Sequence, residues 1–173
     1  MDFLWTPWRY QYITAPEEKG VCIFCTAAKS ADDERTLVIH RGAHNFVMLN
    51  RFPYTTGHLM VVPYDHVSTL AQLAPETLAE QMVLARDAER HLGVLYRPEG
   101  MNIGMNLGKC AGAGIADHLH LHVLPRWTGD TNFMTVVGET RMVPEELAST
   151  WRRLREQWTP RESEAKAFGA RQK

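Results

Sequence analysis

The sequence predicts an α+β fold built on a mainly antiparallel, five-stranded sheet, with one long helix and a C-terminal helix. Three observations support this prediction. Five short segments show the apolar runs or the alternation that is typical of strands. A single long segment with apolar residues every three or four positions lies between the third and the fourth of them. Several strands interrupted by one long helix are typical of α+β proteins.

The five strands are predicted over residues 36–40, 45–49, 58–63, 101–107 and 118–125. The turn at 50–57 carries proline and glycine, which favour chain reversal. The long helix is predicted over 75–95, because Pro75 suits a first helical turn and an apolar stripe follows it. This stripe consists of Leu78, Met82, Ala85, Ala88 and Leu92. A last helix is predicted to begin near Val143 and to run through Trp158.

The chain of 173 residues is long enough for one domain with a sizeable core. We expect this domain to span residues 21–160, between an aromatic N-terminal arm at 1–20 and a polar C-terminal tail at 161–173. The arm contains Phe3, Trp5, Trp8, Tyr10 and Tyr12. Because disordered tails avoid aromatic residues, we expect the arm to pack on the domain or on a partner subunit.

The composition excludes some classes of partner. The formal net charge is -1, which gives no electrostatic reason to expect nucleic-acid or membrane binding. No apolar run reaches the length of a membrane span, and the N-terminus lacks the pattern of a signal peptide. We therefore expect a cytoplasmic protein.

Three histidines alternate with apolar residues in the run HLHLHVL at 118–124. On a strand, His118, His120 and His122 share one face, with successive rings about 6.7 Å apart. Three interpretations follow. Alternate histidines can chelate one metal ion, a neutral imidazole can attack a phosphorus or acyl centre, and a histidine can simply be a core or surface residue.

The loop at 106–117, directly before these histidines, is dominated by small residues. Glycines allow backbone N–H groups to approach an anion closely, so the loop is a candidate phosphate cradle. Lys109 is a candidate for additional positive charge there.

Two of the three cysteines, Cys22 and Cys25, form a CxxC motif, and Cys110 stands apart. Three cysteines are too few for a disulfide framework. In a reducing compartment, a CxxC motif is typical of a metal clip or a redox pair. A metal-free pair of buried thiols is the other interpretation.

The run at 118–124 resembles the HxHxHxx signature of the histidine triad (HIT) nucleotide hydrolases and transferases. The resemblance covers roughly residues 22–127 and includes the segment 50–66 with its GHLMVVP run. The stretch GAGIADHLHLHVLPRWTGDTNF, together with LWTPWR near the N-terminus, is similar to the bacterial branch that contains diadenosine tetraphosphate phosphorylases.

The resemblance implies a role for each matching residue. His120 corresponds to the nucleophile that forms an AMP-histidine intermediate, and His122 corresponds to a donor to phosphate oxygens. The matching nucleotide-binding positions are Asn50, Asn106, Gly112, Ala113, Gly114, Ile115, Ala116, His120 and His122. Many relatives place Gln, Ser or Thr where this chain has Gly114 and Ile115, so backbone amides, Lys109 or Trp127 are candidate replacements at the leaving group.

The resemblance also implies a structural zinc ion, since zinc-containing relatives combine two N-terminal cysteines with two histidines. The matching residues here are Cys22, Cys25, His66 and His118. Four protein ligands leave no open coordination position, which is typical of a structural site. The role of His58 stays open between a structural hydrogen bond and a substrate contact.

The implied activity is transfer at the α-phosphate of a diadenosine polyphosphate, with inorganic phosphate or water as the acceptor. Two alternatives remain: a HIT module with little turnover or with activity on adenosine phosphoramidates, and a metal hydrolase that uses all three histidines as ligands. The implied partners are an adenine nucleotide or a dinucleoside polyphosphate. We also expect a homodimer or higher homo-oligomer, in which the sheet continues across two subunits.

Overall fold

Five strands form one antiparallel sheet in the order β1-β2-β3-β5-β4. In this computed structural model we describe residues 21–130 and 145–158. The strands are β1 (Val38–Arg41), β2 (Asn45–Leu49), β3 (Leu59–Pro63), β4 (Gly100–Gly104) and β5 (Leu121–Arg126). The prediction of an α+β fold with a five-stranded antiparallel sheet is therefore confirmed. The predicted N-terminal arm, the polar tail and the Val143 start of the last helix lie outside the described residues.

The α-helices of the described residues are α1 (Ile23–Lys29), α2 (Asp33–Thr36), α3 (Pro75–Tyr96) and α4 (Leu147–Trp158). Single 3-10 turns lie at Leu70–Gln72 and Lys109–Ala111. The predictions of α3 and of a helix ending at Trp158 are confirmed, whereas α1 and α2 were not predicted. Among the described residues, no helix has both the length and the apolar character needed to cross a membrane.

Each face of the sheet carries its own core. On one face α3 and α4 pack on odd-numbered residues of the central strands, such as Val47, Leu59, Val61, Leu121 and Val123. On the other face α1 packs on the even-numbered residues of β2 and β3. This second core contains Phe24, Ala27, Val38, Phe46, Met48, Met60 and Val62. The alternation of β5 therefore places His122 on the α1 face, because it pairs with Met60.

The first predicted strand began too early. Asp32 accepts a hydrogen bond from the backbone N–H of Arg35 at 3.1 Å, so a helical turn forms at residues 33–36. Leu37 then takes a left-handed conformation with φ 62°, and β1 begins at Val38. Local capping thus replaces the strand expected at Thr36.

The predicted stripe of α3 is wrong in its first half. Met82 is 58% exposed, and the neighbouring Gln81 is buried instead. The Gln81 amide donates to the carbonyl oxygen of Val61 at 3.3 Å, which supplies the buried side chain with a partner. A buried polar face is invisible to a search for apolar periodicity, so the register of the stripe was shifted by one residue there.

Candidate active site and metal centre

The histidine run enters the sheet later than predicted. In the pairing of β3 with β5, Leu59 lies opposite Val123 and Val61 lies opposite Leu121. Strand β5 therefore begins at Leu121 rather than at residue 118. Before that point the N–H of Leu119 donates to the carbonyl of Val67 at 2.6 Å, beyond the end of β3. His118 and His120 therefore precede the strand, while His122 lies within it.

Cys22, Cys25, His66 and His118 form a cluster whose potential ligand atoms all lie within 4.8 Å of one another. The Nδ1 atom of His118 lies 3.3 Å from the sulfur of Cys22, 3.7 Å from that of Cys25 and 3.2 Å from Nδ1 of His66. The sulfur of Cys25 lies 3.3 Å from Nδ1 of His66. The four residues chosen from the sequence are thus brought together across 96 positions of chain.

The geometry of this cluster fits a tetrahedral zinc ion. Zinc bonds of about 2.3 Å to sulfur and about 2.0–2.1 Å to nitrogen place neighbouring ligand atoms about 3.3–3.8 Å apart. Four of the six separations, at 3.2–3.7 Å, lie close to this range, and all six are at most 4.8 Å. Nε2–H of His118 donates to the carbonyl of Pro63 at 2.9 Å, which leaves Nδ1 unprotonated and aimed at the cluster. This tautomer suits a metal ligand.

One ring nitrogen of His120, Nδ1, makes a hydrogen bond, and the other, Nε2, carries the lone pair. Its Nδ1–H donates to the carbonyl oxygen of His118 at 2.9 Å, so the lone pair of the neutral ring lies on Nε2. The ring centroid lies 5.0 Å from that of Phe24 and 4.8 Å from that of His122. Burial lowers the pKa of His120, which favours the neutral, nucleophilic form of the imidazole.

His122 belongs to a chain of hydrogen bonds that fixes its tautomer. The backbone N–H of Tyr54 donates to Nδ1 of His58 at 3.2 Å, so the proton of a neutral His58 lies on Nε2. That Nε2–H donates to Nδ1 of His122 at 2.9 Å. A neutral His122 consequently carries its proton on Nε2, as a donor. Burial, reinforced by the nearby His120, lowers the pKa of His122 to about 4.

The three triad rings do not converge on one point. His118 faces the cysteines, Nδ1 of His120 faces a backbone carbonyl, and Nδ1 of His122 faces His58. Within residues 21–130 and 145–158, the candidate metal cluster includes neither His120 nor His122. This arrangement disfavours a metal hydrolase with three histidine ligands.

The small-residue loop reaches the triad through a tight turn. Inside the turn, the N–H of Gly112 donates to the carbonyl oxygen of Lys109, and the N–H of Ala113 donates to that of Gly108. Gly112 has φ 89°, a conformation that favours glycine. Gly114, Ile115 and Ala116 follow, and the Ile115 side chain packs against the second core. Asn106 opens the loop two residues after β4.

Asn50 follows β2 directly, at the edge of the same region. Its side-chain oxygen accepts the backbone N–H of Phe52 at 2.9 Å, which orients the amide group. Lys109 and Asp117 line a cavity of about 370 Å³ beside the loop. The cavity is completed by Ser68, Thr69, Leu107, Gly108 and Ala116.

Sequence reasoning missed one residue of this site, Phe24, and left the role of another, His58, open. Phe24 lies against two triad rings, and only its position inside the CxxC motif could have indicated this. His58 was noted, but its role was left open; the structure gives it a fully buried hydrogen bond to His122. Both contacts join residues far apart in the chain, so periodicity carries no signal for them.

Comparisons with known proteins agree with this geometry. Residues 32–129 match the HIT domain family. A Mycobacterium tuberculosis (strain CDC 1551 / Oshkosh) protein named AP-4-A phosphorylase is 41% identical over 162 residues, which cover 90% of this chain and 83% of that protein. A Schizosaccharomyces pombe protein named adenosine 5'-monophosphoramidase hnt1 is 29% identical over 105 residues, which cover 61% of this chain and 74% of that protein.

A solved structure shows the same fold. The crystal structure of a Zn-bound histidine triad family protein from Mycobacterium smegmatis superposes with a TM-score of 0.62 at 28% sequence identity. The match covers 79% of this chain and 91% of that one. The chain therefore belongs to the HIT family, and it is an enzyme of that family.

Proposed function

We propose that this enzyme transfers the AMP moiety of a diadenosine polyphosphate through a covalent intermediate on His120. The substrate class is diadenosine tetraphosphate or a close analogue, and inorganic phosphate is the acceptor. The observation that carries the proposal is the 2.9 Å hydrogen bond from Nδ1–H of His120 to the carbonyl of His118. This bond leaves Nε2 of a buried, neutral ring as the nucleophilic atom.

The chemistry proceeds in two balanced steps. In the first, Nε2 of His120 attacks an α-phosphorus of diadenosine tetraphosphate, a P–N bond forms, and the P–O bond to the departing ATP breaks. In the second, an oxygen of inorganic phosphate attacks the AMP-histidine and the P–N bond breaks, so that ADP leaves and the ring returns to its neutral form. Water in place of phosphate gives AMP.

His122 acts as the donor toward the phosphoryl group in this proposal. The chain from Tyr54 through His58 keeps the proton of His122 on Nε2, where it stabilises negative charge on a phosphate oxygen. Its pKa of about 4 keeps the ring neutral in the ordinary pH range, so its contribution is a directed hydrogen bond rather than a full positive charge.

The nucleotide is proposed to lie between Asn50 and the small-residue loop. Asn50 is oriented by its bond to Phe52 and would contact the ribose through its amide group. Gly112 and Ala113 shape the turn, and Asn106 and the backbone at Gly114, Ile115 and Ala116 would face the phosphates. Backbone N–H groups suit this role because they bind anions without bringing a bulky side chain.

Zinc is proposed to be structural. The ligands would be Cys22, Cys25, His66 and His118, whose spacing and tautomer fit four-coordinate zinc. Bound there, the ion would supply a cross-link between α1, the segment after β3 and the start of the triad, and the site would have no coordination position left for substrate.

Phosphate as the acceptor is supported by the 41% identical relative that is named AP-4-A phosphorylase. A second candidate activity, hydrolysis of an adenosine phosphoramidate, is supported by the relative named as a monophosphoramidase. Both reactions begin with the same attack at an α-phosphorus by His120, so they differ in leaving group and acceptor rather than in the nucleophile.

Product analysis with diadenosine tetraphosphate, in the presence and absence of inorganic phosphate, separates these activities. The proposal predicts ADP and ATP, with ADP formed only when phosphate is present. AMP and ATP at equal rates under both conditions would indicate a hydrolase. Cleavage of an adenosine phosphoramidate alone would favour the second candidate, and binding without turnover of either substrate would contradict both.

A further inference from the structure

Phe24 lies inside the CxxC motif and touches the catalytic ring. It is the second residue of α1, between the two cysteines of the metal cluster, and only 1% of its surface is exposed. Its ring meets that of His118 edge-on at 5.2 Å and that of His120 at 5.0 Å with a 45° tilt. One side chain thus contacts a proposed metal ligand and the proposed nucleophile.

We propose that Phe24 is a positioning residue that fixes the ring orientation of His120 and so ties the nucleophile to the metal centre. The proposal rests on the proposed function, because it takes His120 as the nucleophile and Cys22, Cys25, His66 and His118 as zinc ligands. It goes further in assigning to the zinc-bearing helix a direct part in orienting the reactive nitrogen.

His120 needs support beyond its one hydrogen bond. The second side-chain torsion of histidine is broad and roughly two-fold, so a ring flip would exchange the position of Nδ1 with that of Cδ2 and the position of Nε2 with that of Cε1. The bond to the His118 carbonyl selects one orientation, and packing must prevent partial rotation away from it. Phe24 and His122 are the two aromatic neighbours that contact the ring within the described part of the chain.

The helix that carries Phe24 is fixed at both of its ends. Its N-terminal end holds the two cysteines of the metal cluster. At its C-terminal end the guanidinium group of Arg41 in β1 donates to the carbonyls of Ala27, Ala28 and Ser30 at 2.8–2.9 Å. The same group also bonds Asp33 of α2 at 2.8 Å. A short helix that is held at both ends keeps the Phe24 ring in a fixed position.

The test compares Phe24→Leu with a matched control, Phe46→Leu. Phe46 belongs to the same core and is fully buried, but its ring contact is with Tyr64 at 5.4 Å rather than with the triad. Both variants lose one buried aromatic ring, so a general loss of packing affects both. Phe24→Met fills the space without a ring and should behave like Phe24→Leu.

Two measurements are made on the zinc-loaded proteins, with their metal content determined. The first is the rate of AMP-histidine formation in a single turnover at saturating diadenosine tetraphosphate. Small misplacement of a reacting group costs large factors in rate, so we expect Phe24→Leu to be slower by roughly tenfold to a hundredfold and Phe46→Leu to stay near wild type. The second is the ¹⁵N shifts of the His120 ring, which should show mixed tautomers only in the Phe24 variants.

Equal rates and unchanged ¹⁵N shifts in the Phe24 and Phe46 variants would overturn the proposal, since Phe24 would then be a core residue like any other. A wild-type protein that forms no adduct would instead contradict the proposed function. The ¹⁵N shifts report ring orientation without any turnover, so they decide the role of Phe24 in that case as well.

Discussion

His120 and His122 stand two residues apart, yet their ring nitrogens have opposite assignments. Nδ1 of His120 donates to a backbone carbonyl, whereas Nδ1 of His122 accepts from His58. One ring therefore presents a lone pair on Nε2 and the other presents an N–H. The same residue type can thus supply the proposed nucleophile and the proposed hydrogen-bond donor, because the buried partners of the two rings differ.

Loss of His58 should impair catalysis through His122. In His58→Ala, nothing forces the His122 proton onto Nε2, and we expect kcat to fall by up to roughly a hundredfold with little change in KM. Gln places an amide N–H near the position of Nε2, so His58→Gln should recover part of the rate. The measurement is steady-state kinetics, with the exposed His44→Ala as the control. Unchanged kcat in His58→Ala would contradict the hydrogen-bond chain.

Burial of neutral His122 should make stability depend on pH. The pKa of His122 is near 6.5 in the unfolded chain and about 4 in the folded protein. As the pH falls from 7 to 5, the unfolded state takes up a proton that the folded state does not, so the free energy of unfolding should fall by about 2 kcal/mol from this residue. Denaturant titrations at both pH values should show a smaller fall in His122→Phe than in wild type. Equal falls would contradict the assignment.

At the scale of elements, α1 is a helix that depends on its tertiary contacts. It spans seven residues, and its N-cap, Cys22, makes no side-chain capping bond. Isolated helices of this length are unstable in water. The Arg41 contacts and the burial of Phe24 and Ala27 supply stability that the isolated helix lacks, and the proposed zinc ion would add to it.

Removal of one proposed zinc ligand should destabilise the protein measurably. Cys25→Ser is expected to release zinc and to lower the free energy of unfolding by at least about 2 kcal/mol, with a fall in Tm of about 4 °C or more. The control is Cys110→Ser, because Cys110 is exposed and lies outside the cluster. Metal analysis and thermal unfolding of both variants provide the measurement. Equal zinc content and Tm in the two variants would argue against a metal centre.

The sequence allowed the prediction of elements whose residues obey one local pattern. Strands β2 and β3 and helix α3 were predicted within about a residue, because their composition, proline and turn signals are local. The four cluster residues were found through resemblance rather than periodicity, since ligands 96 positions apart leave no local signal. Gln81, Phe24 and His58 acquire their roles from partners on other elements, which is why pattern reading missed the first two and left the role of His58 open.

At the scale of the whole molecule, β4 forms one edge of the sheet. Apolar side chains are exposed on β4 and α3, among them Ile103 at 42%, Val94 at 61% and Met82 at 58%. Within the described residues β4 ends the sheet on one side and carries an exposed apolar side chain, so a second copy of the sheet could add there.

A dimer in which the sheet continues across two subunits stays a prediction, and we expect its interface to lie at β4. Ile103→Lys is expected to shift the protein toward monomer, because it places a charge on the edge strand. Leu70→Lys, at an exposed leucine outside α3 and β4, should leave the assembly unchanged. Light scattering at micromolar concentration reports the mass of each variant. A monomeric wild-type protein, or a dimer unaffected by Ile103→Lys, would contradict the prediction.

The central claim is that His120 carries AMP during turnover, and a quenched single-turnover experiment tests it most directly. The enzyme is mixed with diadenosine tetraphosphate labelled at the α-phosphorus, without inorganic phosphate, and stopped in base to preserve a P–N bond. We predict a labelled, acid-labile adduct that maps to His120 in wild type and is absent from His120→Ala, which still binds nucleotide. Turnover without any adduct, or an adduct that persists in His120→Ala, would contradict the account.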